Sequence, residues 1–568
     1  MPGLIRLWRI NFILTIFFIF GGVILGRLIY LQIIHDDFYK AQATGQQEIV
    51  ESVLGPRGDI LFCDKGKLTI LATNKNWFLC YANPAQIENV KETANILEEI
   101  LHLPKKEILA KLKTSNRLFV VLKKKVTEKE AEELRKQNLK GIYLKKERYR
   151  FYPYGNLAAD LLGFVDAEGK GRYGIEGYFD KILTGKEAWV KKDLGIFHFS
   201  KPEEDLFKGK DIVLTIDKNI QLQAQSLLLK AKEKLKIEGG QIIVVEPTSG
   251  KILALADLPT YDPNNYSQIE DLSVFKNQAI QSLFEPGSMF KPITMAIALN
   301  QGKINPKTEY VDEGYVEVGG RTIYNYKKRK WGRKTMTEVL KWSINTGAVF
   351  AESLIGDKVF LEYIKKLGFF EPTGVELEGE IFSANLELQK GYKVNFATAS
   401  FGQGIALTPL NFARGFCALA NGGNVLKMHI ISEIRENGKV VKKIQPEIVR
   451  KNVFSKENLL ELTEMLIEVV EKGYGKKARI PGYWIAGKTG TSQIPYTALG
   501  INKRGYSEKT WQSFVGFFPA FDPKFLILVK LDNPNTSTSE YSAAPIFREM
   551  AQYIINYYQI PPDYIEKR

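Results

Sequence analysis

Histidine and cysteine are scarce: the 568 residues hold four histidines (His35, His102, His198 and His429) and three cysteines (Cys63, Cys80 and Cys417). None of the histidines falls in a metal-ligand or Ser-His-Asp pattern, so a serine nucleophile in this chain needs another base. The cysteine spacing fits neither a zinc site nor a dense disulfide framework. Buried thiols are expected, with a Cys63 to Cys80 bridge as the alternative in an oxidising compartment. Repeats at solenoid periods and low-complexity tracts are also lacking, which removes repeat arrays and linker proteins. No nucleic-acid motif and no aromatic-interleaved basic stripe is read, so nucleic acid is set aside despite a net charge of +15.

Hydrophobic residues at 45% and charged residues at 25% are ordinary globular values, so most of the chain is expected to fold. Its length suits about three or four domains. An uncharged run extends from Ile10 to Gly26, and after Arg27 it resumes to Ile34. As a helix, 10–34 is about 37 Å long, enough to span a bilayer with some tilt. Arg27 near the outer end can snorkel to the headgroups. Arg6 and Arg9 precede the run and Asp36 and Asp37 follow it, so 1–9 is expected in the cytoplasm and everything after 35 outside. The competing reading is a signal peptide cleaved near Ala41-Gln42-Ala43.

Between 36 and 205 the chain reads as short β-type runs, turns and charged helical patches such as Val126 to Gln137, with no catalytic cluster. Gly55-Pro56-Arg57-Gly58-Asp59-Ile60 and Gly174-Ile175-Glu176-Gly177 read, alone, as turns. From Gln241 a sheet begins, with Ile242 to Val245 and Ile252 to Ala256 as a hairpin. Helical periodicity dominates from Ser288 to Glu471, and strands return at Tyr483 to Ala486, Ser513 to Phe518 and Phe525 to Leu531. Ala543 to Tyr557 has the spacing of a helix that covers one sheet face. The expectation is an α+β domain over about 210–560.

Three short motifs occur in order. Ser288-Met289-Phe290-Lys291 follows the turn Glu285-Pro286-Gly287, and a spacing of three puts hydroxyl and amine on one helix face. Pro292 requires the helix to start at or just after Ser288. Ser343-Ile344-Asn345 lies between two helical runs, where a junction presents both polar side chains to a cleft. Ser383-Ala384-Asn385 is a decoy in a glycine-containing turn. Lys488-Thr489-Gly490-Thr491 ends a β-type run before a polar stretch, read as a long loop, that reaches Lys509. A cation there suits a peptide's terminal carboxylate, Thr489 can donate to it, and Gly490 allows close backbone approach. Lys291 can act as the base for Ser288 only if burial and the nearby Lys488 charge hold its pKa well below the ordinary lysine value.

The ordered set Ser-x-x-Lys, Ser-x-Asn, Lys-Thr-Gly resembles the penicillin-recognising serine enzymes. With the anchor, Arg57 to Ile60, Gly174 to Gly177, and Gly402-Gln403-Gly404 with Thr408-Pro409, the chain is similar to class B penicillin-binding proteins. Glu285 to Ser288 and Ala399 to Gly404 are most similar to the division or septal type. Ile344 stands where class A β-lactamases usually carry Asp, a departure that favours a transpeptidase.

The resemblance implies an α+β penicillin-binding or β-lactamase-like transpeptidase domain over 210–560, built from an antiparallel sheet and a helical subdomain. It further implies a β-rich, dimerisation-type pedestal over 35–205 and one transmembrane helix in the cytoplasmic membrane. Ser288, Lys291, Ser343 and Asn345 would be catalytic, Lys488, Thr489, Gly490 and Thr491 would bind substrate, and the backbone N–H groups of Ser288 and Thr491 would hold the oxyanion. No metal or organic cofactor is implied. The implied partners are peptidoglycan stem peptides, the lipid-linked precursor polymer, β-lactam antibiotics, a membrane glycan polymerase and other division proteins. Gly22 and Gly26 form a Gly-x-x-x-Gly surface on which a partner helix can pack. A D-alanyl-D-alanine carboxypeptidase, a β-lactamase and a non-catalytic division scaffold or sensor are the alternatives.

Overall fold

The computed structural model describes residues 3–34, 48–113, 117–193 and 207–565. Two compact units emerge, one made of 1–56 with 185–209 and the other of 57–184 with 210–568. In the first, helix α1 (Gly3–Ile29) runs into a π-helical turn over Tyr30–Ile34. Its segment Asn11–Ile33 is long and apolar enough to cross a membrane. Phe17 and Phe18 are about three-quarters exposed, at 74% and 78%, and such a continuous apolar surface suits hydrocarbon, not water. The strand Glu48–Leu54 pairs antiparallel with Glu187–Asp193 in the same unit. The Ala41 to Ala43 segment lies outside the described residues.

The second unit contains a sheet that crosses the boundary expected at 205–210. Strands β1 (Ile60–Asp64) and β2 (Lys67–Ala82) form a hairpin, and β3 (Asp211–Leu214) adds to β1 in parallel. Beyond β3 comes Ile431–Glu436, from far along the chain. Ile142–Phe151 and Val120–Val126 pair with β2 at the other end. The charged patch at Val126 to Gln137 resolves into the end of a strand and the helix Glu128–Gln137. Thr127 and Glu130 close a capping box at its start.

The two turn-like segments are one structure. Glu176 is fully buried; Arg57 Nε donates to its Oε2 and Arg150 Nε to its Oε1, each at 2.7 Å. Arg57 also reaches Asp180 Oδ1 at 2.7 Å and the Glu176 carbonyl at 3.0 Å, and Arg150 Nη1 donates to Gly58 O at 2.7 Å. A buried carboxylate between two guanidinium groups ties the chain near 57 to the chain near 176. All three cysteines are free, so the bridge between Cys63 and Cys80 is absent. Cys63 lies opposite Leu68 on β2, and Cys80 sits twelve residues further along that strand, tens of ångströms beyond disulfide reach.

Helix α2 (Lys218–Leu235) leads into the five-stranded antiparallel sheet that carries the site, formed by β4 (Gly239–Glu246), β5 (Lys251–Leu258), β6 (Ala486–Pro495), β7 (Tyr506–Phe518) and β8 (Phe525–Asp532). The order across it is β5, β4, β8, β7, β6, which leaves β6 at an edge. Alternation sorts its side chains: Ile242, Val244, Ile527 and Val529 face α2 and the C-terminal helix α6 (Ala543–Tyr558). Ile243, Val245, Leu526 and Leu528 face the helical insert.

Two expectations need correction. The Lys-Thr-Gly motif lies near the start of β6 rather than at the end of a β-type run, and the long loop expected up to Lys509 shrinks to the connection 496–505, because β6 continues to Pro495 and β7 begins at Tyr506, where pairing satisfies the backbone. The insert, expected to be helical, also contains short strand pairs, including the hairpin of Tyr315–Val318 with Arg321–Tyr324 inside the pair Glu309–Asp312 and Gly332–Thr335.

Candidate active site

Ser288 sits in a 3-10 turn over Gly287–Phe290 that continues as helix α3 (Lys291–Asn300). The first α-helical position is therefore Lys291, with Pro292 harmlessly in the first turn. Gly287 adopts φ +54° and its N–H donates to Gly402 O at 3.0 Å. A Cβ on Gly402, itself at φ +81°, would lie 2.1 Å from Gly287 O, so the Gly402-Gln403-Gly404 segment fits against the nucleophile's turn only without side chains. On the other flank, Ser492 Oγ donates to Glu285 O at 2.8 Å and the Tyr506 hydroxyl spans both oxygens of the Glu285 carboxyl. Burial pushes that carboxyl up to about 7. β6 and β7 thus hold the Glu285 to Ser288 segment against the sheet edge.

Ser343-Ile344-Asn345 joins helices α4 (Met336–Lys341) and α5 (Asn345–Ile355). Ile344 is fully buried, so its neighbours turn to the cleft, with Ser343 in the left-handed region at φ +54°. Beneath them lies a polar support that the sequence did not reveal. Asn325 Oδ1 accepts from the N–H groups of Asn345 and Thr346 at 3.0 and 3.1 Å, which caps α5. Asp312, 1% exposed, accepts in turn from Asn325 Nδ2, from Thr346 Oγ1 and from the Trp331 N–H. These contacts link positions far apart in sequence, and Asp312 beside Glu313-Gly314 looks like an ordinary turn residue.

The three motifs converge on two buried lysines. Lys291 Nζ lies 3.0 Å from Ser288 Oγ, 2.6 Å from Ser343 O, 3.1 Å from Ser343 Oγ and 2.9 Å from Asn345 Oδ1. Lys488 Nζ donates to Ser343 Oγ at 3.0 Å and to Thr489 O and Oγ1 at 3.2 Å. Both lysines are 0% exposed. Burial, then the Lys488 charge, hold Lys291 well below the ordinary lysine value, and burial brings Lys488 down to about 7. Gly490 is required by space: a Cβ there would meet Met289 Cγ and Pro286 O at 2.8 Å. Thr491 Oγ1 meets Ser539 Oγ at 3.1 Å, on a loop from which no site residue was expected. The decoy Asn385 is spent on its own loop, exchanging hydrogen bonds with the Ala406 backbone.

The cleft over these residues has a volume of about 730 Å³. One wall is β6 and the Ser537 to Tyr541 loop; the other contains Tyr324, Tyr326, Trp331 and Trp342. This second wall also corrects the composition reading: the stretch from Tyr324 to Lys334 is a short aromatic-interleaved basic stripe.

Fold and site together define a serine acyl-transferase of the penicillin-recognising kind. Residues 240–552 match the penicillin binding protein transpeptidase domain and 52–214 the penicillin-binding protein dimerisation domain, so the chain belongs to this family. It is 32% identical over 504 residues to stage V sporulation protein D of Bacillus subtilis, covering 86% of this chain and 76% of that one. Against a peptidoglycan D,D-transpeptidase FtsI homolog of Mesostigma viride it is 30% identical over 586 residues, covering 98% and 96%. Penicillin binding protein 2X from Streptococcus thermophilus shares the fold, with a TM-score of 0.71 and 24% identity over 89% of this chain and 80% of that one.

Proposed function

We propose that this protein is a peptidoglycan D,D-transpeptidase that works through a Ser288 acyl-enzyme. The observation that carries the reading is the set of neighbours of Lys291 Nζ. A neutral amine has two hydrogens and one lone pair, and Ser343 O and Asn345 Oδ1, which can only accept, take the hydrogens. The lone pair is left for the hydroxyl hydrogen of Ser288.

Ser288 Oγ attacks the carbonyl of the penultimate D-alanine as its proton passes to Lys291. The C–N bond to the terminal D-alanine breaks, and the leaving amine takes that proton, with Ser343 Oγ between the two lysines as the relay. Lys488 and Thr489 anchor the terminal carboxylate, and the donor peptide adds along the free edge of β6. An acceptor amine then attacks the ester, loses its proton to the same base and returns Ser288 to its hydroxyl form. The backbone N–H groups of Ser288 and Thr491 hold the oxyanion, each worth about 100- to 1000-fold.

The finer reading follows the same resemblance: a septal role, an N-terminus in the cytoplasm, domains bounded near 205–210, and a membrane glycan polymerase as partner. Gly22 and Gly26 are open for helix packing, since a Cβ on either would meet nothing within 4 Å.

Incubation of the full-length protein with a β-lactam tests the assignment. Intact mass should rise by one drug molecule in the wild type and remain unchanged in Ser288→Ala. No adduct on the wild type, or an equal adduct on the variant, refutes it. Rapid loss of the adduct with hydrolysed drug points to a β-lactamase.

A further inference from the structure

We propose that the cleft wall from Tyr324 to Trp331 is a subsite for the acceptor stem peptide, selecting a stem with a free carboxylate away from its reacting amine. The inference rests on the transpeptidase reading and adds to it the chemistry of the second substrate.

The stretch 321–334 contains cations and no acidic residue. Three of the cations are neutralised locally: Lys330 meets Glu313, Arg333 meets Glu309 and Lys334 meets Glu338. The two that line the cleft have no carboxylate partner among the described residues. Arg329 Nη1 donates to the Tyr474 hydroxyl at 2.8 Å, and Lys327 Nζ lies 5.5 Å from the centre of the Tyr326 ring. Both contacts hold a cation in place and leave its charge available. Trp331 stacks on Trp342 at 5.8 Å and Tyr474 packs edge-on against Trp342 at 5.6 Å, giving the cations a rigid apolar backing. On the sheet side, the cleft presents Glu508 from β7, which repels a carboxylate.

Position assigns this wall to the acceptor. Trp342 adjoins Ser343, whose Oγ touches both lysines, and Lys488 marks where the terminal D-alanine departs. The acceptor amine must enter along the path by which the leaving amine left, because the two half-reactions are formally the reverse of one another. The stem carrying that amine then runs out past Trp342 to Lys327 and Arg329. Lys488 and Thr489 serve a carboxylate beside the scissile bond, so the outer cations are free for another.

The test uses full-length protein, a thioester depsipeptide donor, and two synthetic acceptor stems that differ only in a free carboxylate or a carboxamide at the isoglutamyl position. For the wild type, KM for the carboxylate stem should be about fivefold lower, the scale of two exposed ion pairs, and high salt should erase the gap. In Lys327→Gln/Arg329→Gln both stems should show the carboxamide KM, while the rate of Ser288 acylation by the donor is unchanged, which also reports intact folding. Equal KM values in the wild type, or a preference that survives in the variant, overturn the subsite. Salt-sensitive RNA binding lost in the variant, without acceptor preference, overturns it in favour of a polynucleotide. Failure of the thioester to acylate wild-type Ser288 refutes the transpeptidase reading itself, a result separable from a missing acceptor preference.

Discussion

Replacing Lys488 should move the pH dependence of a reaction in which Lys291 is the base. Lys291 Nζ and Lys488 Nζ lie 3.1 and 3.0 Å from the same Ser343 Oγ, so the two nitrogens are within about 6 Å of each other. At that separation, with an effective dielectric of about 20, a unit charge acts with about 3 kcal/mol, equivalent to about two pH units. The sign follows from which form is charged. Lys488, brought down to about 7, is protonated at lower pH, and its charge then opposes protonation of Lys291. Without it, Lys291 keeps its proton to higher pH, and the neutral base is lost sooner as pH falls. In Lys488→Gln the acidic limb of the acylation rate should shift upward by as much as about two pH units, whereas Lys488→Arg should leave it near the wild-type position. Single-turnover acylation by a fluorescent penicillin, at drug concentrations that saturate each variant, separates this effect from weakened carboxylate binding. An acidic limb that stays in place in Lys488→Gln, or moves to lower pH, refutes the charge coupling. Because the pair titrates together, the limb belongs to both lysines.

Lys291→Ala should slow acylation by about 100- to 10,000-fold at every drug concentration, as rapid-quench mass spectrometry would record; a normal rate at neutral pH contradicts the base role. Glu176→Gln leaves the buried Arg57 and Arg150 facing a neutral amide and should lower unfolding stability by about 3–5 kcal/mol, read from the urea midpoint. An unchanged midpoint would mean that the two guanidinium groups find solvent or other partners. Gly402→Ala puts a methyl group 2.1 Å from Gly287 O at a positive φ, so it should displace the Ser288 turn and cut acylation by about 100-fold. Wild-type acylation in that variant would show that the Gly402 loop yields without moving the nucleophile.

Legibility in the sequence followed the range of the interactions. Ser288 and Lys291 were readable because a three-residue spacing on one helix face is local geometry. β4 and β8 were readable as strands because a short apolar run rich in β-branched residues is local too, whereas their faces, in continuous apolar runs, were not. The pairing of β6 with β7 was obscured where polar residues hide the period, and there the two ends of the expected loop are strand. Asp312, Asn325 and Ser539 were invisible because their work is done across long sequence separations on residues that look like turn formers. Arg57 and Glu176 were legible as family-like segments, yet nothing local in either segment shows that burial joins them. Tyr324 to Lys334 is hidden for another reason: a short run of cations disappears in a charge balance taken over 568 residues.

The same geometry bears on why an acyl group should persist on Ser288 long enough to meet an amine. Hydrolysis needs a base that can deprotonate a water aimed at the ester. Among the described residues, Lys291 is the hydrogen-bonding partner of Ser288 Oγ, and its hydrogens are already directed to Ser343 O and Asn345 Oδ1. Glu285 is the carboxyl nearest in the chain, but the Tyr506 hydroxyl engages both of its oxygens, and its pKa near 7 leaves it substantially protonated at neutral pH. Ser288 Oγ thus has Lys291, and no carboxylate, as its hydrogen-bonding partner among the described residues. An acceptor amine is the stronger nucleophile, and once seated on the leaving-group side it can pass its proton through Ser343 to Lys291. The arrangement favours aminolysis through the stronger nucleophile, and a β-lactam, whose ring-opened leaving group stays attached and obstructs that side, is left as a stalled ester.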